Sequence, residues 1–224
     1  MPLPFDRLLI PSIIHQTASN HDLSAQLRQL RQSAVRTLPE WTFKFYDDEQ
    51  CRVLVEKTFP DCLSFYDTLP TGVQRSDLFR WVVVYVYGGF YLDCDIQLHS
   101  DLAHLRTHSV VLAEEKTITQ QQADQLGHLY TIRIANYMFG SIRQHPWVAQ
   151  LIRTMSLENS RVCSEFDVLE STGPGFVTRY LHEQPHPDVH LLKHPGVRCK
   201  RCGGQSCQFG TYASHLHLGS WRWQ

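Results

Sequence analysis

Two aspartates two positions apart, Asp93 and Asp95, are the residues of this sequence best suited to hold a metal ion. They follow the apolar run Phe90-Tyr91-Leu92, which predicts a short buried strand. Carboxylates at the point where a strand ends can both reach one oxygen-rich ligand, and Mg²⁺ or Mn²⁺ binds a few carboxylates together with phosphate oxygens. An Asp-x-Asp in this place therefore suits a metal–diphosphate complex.

A long apolar segment precedes this motif and must position it. Residues 73–87 exceed ordinary strand length and stop at Gly88-Gly89, so we predict a buried helix that ends at the glycines. Asp77 and Arg80 are three residues apart and share one face of that helix. The helix and the strand would bring these charges to the carboxyl edge of a sheet, where open α/β sheets bind ligands. A buried salt bridge is the structural alternative for the Asp77–Arg80 pair.

The rest of the chain alternates between predicted strands and helices. Strands are predicted at residues 10–16, 41–46, 110–113 and 134–139, and helices at 23–38, from Asp47 or Asp48 to about 58, at 62–67 and at 146–157. The polar segment 117–125 is predicted to be a mobile loop, and Thr172 to cap a helix that begins at Pro174. His15 is predicted to be a core histidine. This order predicts an α/β fold with a mostly parallel sheet flanked by helices, and 224 residues suggest a single domain, 1–224.

Charge and hydropathy exclude several classes of partner. The formal net charge is −1, from 21 basic and 22 acidic residues, which gives no whole-chain reason to expect nucleic acid or an anionic membrane. The first residues lack a basic segment followed by a long apolar one, and no run reaches the ~18 apolar residues of a membrane helix. The chain as given is therefore expected to be soluble, without a secretory signal or membrane span, and cytoplasmic by default.

The seven cysteines fall into two groups. Scattered cysteines in predicted core segments are expected to be buried free thiols in a reducing compartment, and these are Cys51, Cys62, Cys94 and Cys163. Three closely spaced cysteines precede His215 and His217, and these are Cys199, Cys202 and Cys207. The second group is compatible with a structural zinc site, with a disulfide and with a plain glycine-rich loop. Zinc would compete with a catalytic metal at the Asp-x-Asp for the two histidines, and we rank the catalytic metal first.

Taken together, these motifs resemble the Asp-x-Asp sugar-binding region of glycosyltransferase family 32. The matching block is Gln74-Arg-Ser-Asp-x-x-Arg80, the apolar helix and Gly-Gly-Phe-Tyr-Leu-Asp93-x-Asp95. Other segments match in order along the chain, and these are Ile10-Pro-Ser-Ile-Ile-His-Gln-Thr17, Asn136-Tyr-Met-Phe-Gly-Ser141 with His145-Pro146, Glu170-Ser-Thr-Gly-Pro174 and Gly219-Ser-Trp221. The family includes inositol phosphoceramide mannosyltransferases and initiation α-1,6-mannosyltransferases, and the clostridial glucosylating toxins carry a related block.

The resemblance implies a GT-A-type nucleotide-sugar-binding fold and a role for each matching residue. Asp95 would be a direct metal ligand, and Asp93 would contact the donor and help to hold the metal. Asp77 and Arg80 would act with Asp93 in catalysis, by binding the transferred sugar and the diphosphate. The donor-binding residues would be Tyr91, Asn136, Ser220 and Trp221, and His215 or His217 would complete the metal shell. For Asn136, satisfaction of backbone groups at a strand end is an equal alternative.

The resemblance also implies an activity, which is metal-dependent, retaining transfer of a hexose from a nucleotide-diphosphate sugar to a hydroxyl of a glycan or glycolipid. Mannose from GDP-mannose is the favoured donor, a UDP-sugar is second, and Mn²⁺ or Mg²⁺ is the cofactor. Many members of the family are Golgi membrane proteins, which makes the Golgi the alternative location.

Two other functional classes fit parts of the sequence. A haloacid-dehalogenase-like phosphatase uses the first Asp of an Asp-x-Asp as a nucleophile, although that pattern requires Thr or Val where this chain has Gln97. A non-catalytic, zinc-stabilised binding module derived from a transferase is the other.

Overall fold

The computed structural model describes residues 9–127, 129–158, 162–195 and 207–218. In these ranges the helices are α1 (Ala25–Thr37), α2 (Asp48–Thr58), α3 (Pro60–Thr68), α4 (Gly72–Tyr87), α5 (Gln120–Leu126), α6 (Pro146–Met155), α7 (Glu165–Ser171) and α8 (Pro174–Glu183). The strands are β1 (Ile13–Thr17), β2 (Thr42–Tyr46), β3 (Gly89–Leu92), β4 (Ile96–Leu98), β5 (Val110–Thr117), β6 (Ile132–Ile134), β7 (Met138–Ser141), β8 (Val189–Leu192), β9 (Gln208–Phe209) and β10 (Ala213–His215).

A central sheet of seven strands runs through the described part of the chain in the order β2-β1-β3-β7-β5-β6, with β8 also paired to β5. Strands β1, β2, β3, β5 and β8 share one direction, whereas β6 and β7 run against them. The predicted α/β fold class is therefore confirmed. Strands β4, β10 and β9 form a second, antiparallel sheet, in which His215 pairs with Ile96 and so lies beside the Asp-x-Asp segment.

Helix α4 forms the middle of the core because nearly all of its side chains from residue 78 onward are apolar. Trp81 is fully buried and stacks on Phe139 of β7 with ring centroids 3.7 Å apart. The predicted buried helix with a glycine end is confirmed, since Gly88 has a φ of 66°, which favours glycine. Gly89 has no room for a side chain, because a Cβ there would lie 2.5 Å from the Ile13 carbonyl oxygen. Neither α4 nor any other helix of the described residues is long and apolar enough to cross a membrane.

Three local predictions need correction. Residues 117–125 are not a loop, because Thr119 and Gln122 form a capping box that begins α5. The predicted strand 134–139 is divided into β6 and β7, and Asn136 lies between them. Of the four scattered cysteines, Cys163 is exposed, whereas the other three are buried as predicted.

His15 is a buried histidine whose two ring nitrogens are both engaged, as predicted for a core residue. Its Nε2 donates to the carbonyl of Gly88 at 2.8 Å, so its Nδ1, 3.2 Å from the hydroxyl of Tyr46, accepts. The neutral ring satisfies both contacts, and full burial of the side chain favours that form.

Acid should destabilise the protein through His15. Burial lowers the pKa of His15 to about 4 from 6.5, so the unfolded chain binds the extra proton between these values and stability falls as pH drops through this window. The free energy of unfolding should fall by about 2 kcal/mol more between pH 7 and pH 5 in the wild type than in His15→Gln. Urea titrations of both proteins at the two pH values measure this difference, and parallel pH curves would contradict the assignment.

Candidate active site

The candidate site lies where β3 ends. The backbone N–H of Asp93 donates to the carbonyl of Tyr137 at 2.8 Å, which continues the pairing of β3 with β7 by one residue. The chain then turns through Asp95 into β4. The predicted position of the Asp-x-Asp at the carboxyl edge of the sheet is confirmed.

Three side chains converge at this edge and offer ligand atoms that all lie within 4.8 Å of one another, and these are Asp93, Asp95 and His215. The Nε2 of His215 is 3.2 Å from Oδ1 of Asp95. The second oxygen of Asp95 accepts the backbone N–H of Leu218 at 2.8 Å, and its carbonyl accepts that of Leu216 at 3.0 Å. The segment after β10 is thus tied to Asp95 by both side chain and backbone.

The composition of this cluster fits a divalent cation. Two carboxylates and an imidazole form an oxygen-rich set with one nitrogen, as Mn²⁺ accepts. Nε2 of His215 shares a proton with Asp95 in this arrangement. A bound cation would displace that proton and leave the ring proton on Nδ1, which is buried without a hydrogen-bond partner among the described residues. His217 lies beside the cluster, with its ring centroid 4.1 Å from that of His215. Of the two histidines predicted as ligands, the structure brings His215 to the aspartates.

A buried charge network supports the cluster from the side of α4. Arg80 is 4% exposed, and its Nη2 lies 3.2 Å from Oδ1 of Asp77 and 3.5 Å from Oδ1 of Asp93. Its Nη1 donates to the carbonyl of Asn136 at 2.7 Å. The Asn136 amide donates in turn to Oδ1 of Asp77 at 2.9 Å. The network joins α4, the end of β3 and the segment between β6 and β7.

Tyr91 contributes to the same arrangement from within the core. Its hydroxyl donates to Oδ1 of Asp93 at 2.7 Å, and the guanidinium carbon of Arg80 lies 4.9 Å from the centre of its ring. The Tyr91 side chain is buried, and the hydrogen bond that its hydroxyl makes is with Asp93. Tyr91 and Arg80 together hold one oxygen of that carboxylate in place.

Thr172 belongs to this network, although the sequence predicts it only as a helix cap. The cap of α8 is Gly173, and the Thr172 hydroxyl donates to Oδ2 of Asp77 at 2.9 Å. Both oxygens of Asp77 are therefore engaged. In the sequence, the Ser-Thr-Gly-Pro match is the indication that Thr172 belongs with the other motifs. That match does not identify Asp77 as the partner of the Thr172 hydroxyl.

Burial and neighbouring charges shift the pKa values of Asp77, Asp93 and Asp95 in different directions. Burial raises the pKa of Asp77 to about 6, despite the opposing effects of Arg80 and its hydrogen-bond donors. Burial likewise raises the pKa of Asp93. Burial also acts on Asp95, but its hydrogen bond and ion pair with His215 outweigh it and leave the pKa below the usual value. Asp95 is thus the most readily ionised of the three, as suits a metal ligand.

Several predicted residues fall outside the described part of the chain, and these are Ser220, Trp221, Cys199 and Cys202. Cys207 is described and is buried. The predicted zinc site and the predicted donor contacts of the last residues stay predictions.

Comparison with known proteins agrees with this geometry. Residues 24–123 match the family model described as the glycosyltransferase sugar-binding region containing the DXD motif. Inositol phosphoceramide mannosyltransferase 2 of Schizosaccharomyces pombe is 27% identical over 184 residues, which are 80% of this chain and 49% of that protein. The initiation-specific alpha-1,6-mannosyltransferase of Candida albicans is 24% identical over 184 residues, 71% of this chain and 47% of that protein. The chain spans about half the length of these curated relatives.

The fold is shared with solved glycosyltransferases. The PaToxG glycosyltransferase superimposes with a TM-score of 0.57 at 16% identity, covering 79% of this chain and 70% of that one. This similarity confirms the predicted GT-A fold. The chain thus shares the GT-A fold, resembles the Asp-x-Asp sugar-binding region over residues 24–123, and is similar in sequence to mannosyltransferases of the kind found in glycosyltransferase family 32.

Proposed function

We propose that this protein transfers a hexose from a nucleotide-diphosphate sugar to a hydroxyl group of a glycan or glycolipid. The observation that carries the proposal is the cluster of Asp93, Asp95 and His215 at the carboxyl edge of a GT-A sheet. Mannose from GDP-mannose is the favoured donor, because the relatives above are named as mannosyltransferases. A UDP-sugar is the second choice.

The cluster would hold Mn²⁺ or Mg²⁺, with Asp95 and His215 as direct ligands and Asp93 shared between metal and donor. When bound, such an ion neutralises charge on the departing diphosphate. Since Arg80 and Asp77 are buried and engaged with protein groups, we assign them first to fixing the orientation of Asp93, which Arg80 approaches to 3.5 Å. Contacts of this pair with the sugar and diphosphate stay predictions from the family resemblance.

The donor site would extend from this cluster in two directions. Asn136 is linked to the metal cluster indirectly, through its hydrogen bonds with Asp77 and Arg80. Ser220 and Trp221 follow Leu218, whose backbone N–H binds Asp95, and this adjacency in the chain supports their assignment to the diphosphate.

We further propose that the reaction retains the anomeric configuration by displacement on one face of the sugar. The acceptor oxygen forms its bond to the anomeric carbon as the bond to the diphosphate breaks. The hydroxyl proton passes to the departing diphosphate oxygen. In this sequence of events the protein binds, orients and stabilises charge, and no protein nucleophile is needed.

Calorimetric titration with GDP-mannose and with UDP-glucose, each in Mn²⁺ and in EDTA, tests the proposal. One donor should bind in Mn²⁺ and lose most of its affinity in EDTA, because the diphosphate and the carboxylates repel each other without a cation between them. Binding of neither donor under either condition, or release of inorganic phosphate from simple phosphate esters, would contradict it.

A further inference from the structure

A second group of side chains that could bind a metal lies away from the proposed active site. His145, His186 and Asp188 offer ligand atoms that all lie within 4.8 Å of one another. His145 directly precedes α6, and Asp188 directly precedes β8. Because β8 runs parallel to β3 and β7 runs against it, this group lies at the amino edge of the parallel strands, opposite the edge that carries Asp93. The proposed transferase function gives these three residues no role.

His145 has a buried ring nitrogen that lacks a partner. The residue is 1% exposed, and its Nδ1 accepts the backbone N–H of Trp147 at 3.2 Å. Its Nε2 is inaccessible to solvent and makes no hydrogen bond with any described residue. Oδ2 of Asp188 lies 3.6 Å from this nitrogen, beyond hydrogen-bond distance. A buried polar atom in this setting is unfavourable unless a ligand engages it.

The separation of these atoms suits a shared cation better than a hydrogen bond. Zinc binds imidazole nitrogen and carboxylate oxygen at about 2.0–2.2 Å, so two ligand atoms of a tetrahedral site lie about 3.3–3.6 Å apart. The 3.6 Å between Nε2 of His145 and Oδ2 of Asp188 falls at the upper end of that range. The His186 ring stands at 80° to that of His145 with the centroids 5.2 Å apart. A movement of about 1 Å by the His186 side chain would therefore complete the site.

The backbone that carries His186 and Asp188 is restricted. Pro185 and Pro187 flank His186, and each proline fixes its own φ and limits the residue before it. The carbonyl of Asp188 accepts the backbone N–H of Val110 at 3.2 Å, which ties this segment to the first residue of β5. Little backbone freedom is therefore lost when a metal engages these two side chains, and such preorganisation favours binding.

Metal binding also has a local cost, which concerns the ring protons. Nδ1 of His145 and Nδ1 of His186 each accept a backbone N–H at 3.2 Å, from Trp147 and Asp188. The neutral rings therefore carry their protons on Nε2 in this arrangement. Coordination through Nε2 moves the proton to Nδ1 and gives up the backbone contact. Both contacts are at the long end of the hydrogen-bond range, and histidine is not among the preferred helix caps, so we expect the bonds to the metal to outweigh them.

We propose that His145, His186 and Asp188 form a zinc site that joins the start of α6 to the connection between α8 and β8. Two imidazoles and one carboxylate form a ligand set that Zn²⁺ accepts, with water in the fourth position. Fe²⁺ accepts the same set but binds more weakly at given ligands. Nitrogen outnumbers carboxylate in this group, the reverse of the Asp93–Asp95–His215 cluster, so Mg²⁺ and Mn²⁺ suit it less well. The inference does not depend on the transferase function.

The test compares zinc binding by the full chain, prepared without a histidine tag and stripped with EDTA, in the wild type and in His186→Gln. At a Zn²⁺ concentration that saturates the wild type, the variant should bind one equivalent fewer, because loss of a ligand should weaken the site on the order of 100-fold. Co²⁺ in place of Zn²⁺ should show the same difference in visible absorption. At 100-fold above Kd, zinc should raise the melting temperature of the wild type by about 5–10 °C more than that of the variant.

His182→Gln is the matched control, since it removes an exposed histidine four residues from His186 that stacks on Tyr130 instead. This control should keep the zinc content and Co²⁺ spectrum of the wild type. Asp188→Asn is a second ligand variant, and its side chain is 55% exposed, so the fold should persist. Full zinc content in both His186→Gln and Asp188→Asn would overturn the proposal. A wild type that binds no zinc, or an equal loss in His182→Gln, would also overturn it.

Discussion

Replacing Asp95 by asparagine should lower metal-dependent sugar transfer by roughly 10² to 10³-fold. The substitution removes the charge of the most readily ionised carboxylate in the cluster, 3.2 Å from His215. A metal that stabilises a departing diphosphate contributes several kcal/mol to the transition state, and each ~1.4 kcal/mol is a factor of ten in rate. The measurement is kcat/KM for the donor across a Mn²⁺ titration, with donor affinity determined in parallel.

The control for this substitution is Asp67→Asn, an identical change on the surface of α3 that should leave turnover unaltered. Asp67 pairs with Arg52, and both side chains are exposed. Asp95→Asn keeps the size of the side chain but changes the group that accepts the Leu218 N–H. The melting temperatures of the variant and the wild type are therefore compared to verify that the fold is intact. Full turnover of Asp95→Asn in Mn²⁺, with the fold intact, would refute the metal assignment.

The parts of the site that the sequence predicted depend on local patterns. The length of the apolar run and the glycine pair predict α4 and its end, and the short strand then places Asp93 at the sheet edge. Asp77 and Arg80 share a helix face simply because they are three residues apart, and their ion pair follows from that spacing. These features require no knowledge of distant partners.

The parts that could not be predicted are contacts between distant segments. Asp77 bonds to Asn136 and Thr172, which are 59 and 95 residues away, and Asp95 bonds to Leu218, 123 residues away. Local spacing holds no information about which hydroxyl or N–H will meet a given carboxylate. The α5 error has another origin, because polar composition predicted a loop where the Thr119–Gln122 capping box forms a helix.

Removal of the Arg80 guanidinium should have the largest effect on stability. Arg80→Met leaves Asp77 and Asp93 without their shared cation in a buried setting, where breaking an ion pair costs about 3–5 kcal/mol. For a chain of this size, the melting temperature should fall by roughly 6–20 °C. Arg80→Lys should recover only part of the loss, because an ammonium cannot reproduce the planar fork that also binds the Asn136 carbonyl.

A surface pair of the same chemistry isolates the contribution of burial. Arg52 contacts Asp67 through two hydrogen bonds of 2.9 and 2.8 Å, yet both side chains are exposed, so Arg52→Met should change stability by less than about 1 kcal/mol.

Asp77→Asn in the Arg80→Met background should restore part of the lost stability, because it removes one of the two carboxylate charges that lose their cation. Since Asp77 already has a raised pKa, the defect of Arg80→Met should also be smaller at pH 5.5 than at pH 8, where that carboxyl must remain ionised. Equal melting shifts for Arg80→Met and Arg52→Met would contradict the assignment of a larger stabilising contribution to the buried ion pair.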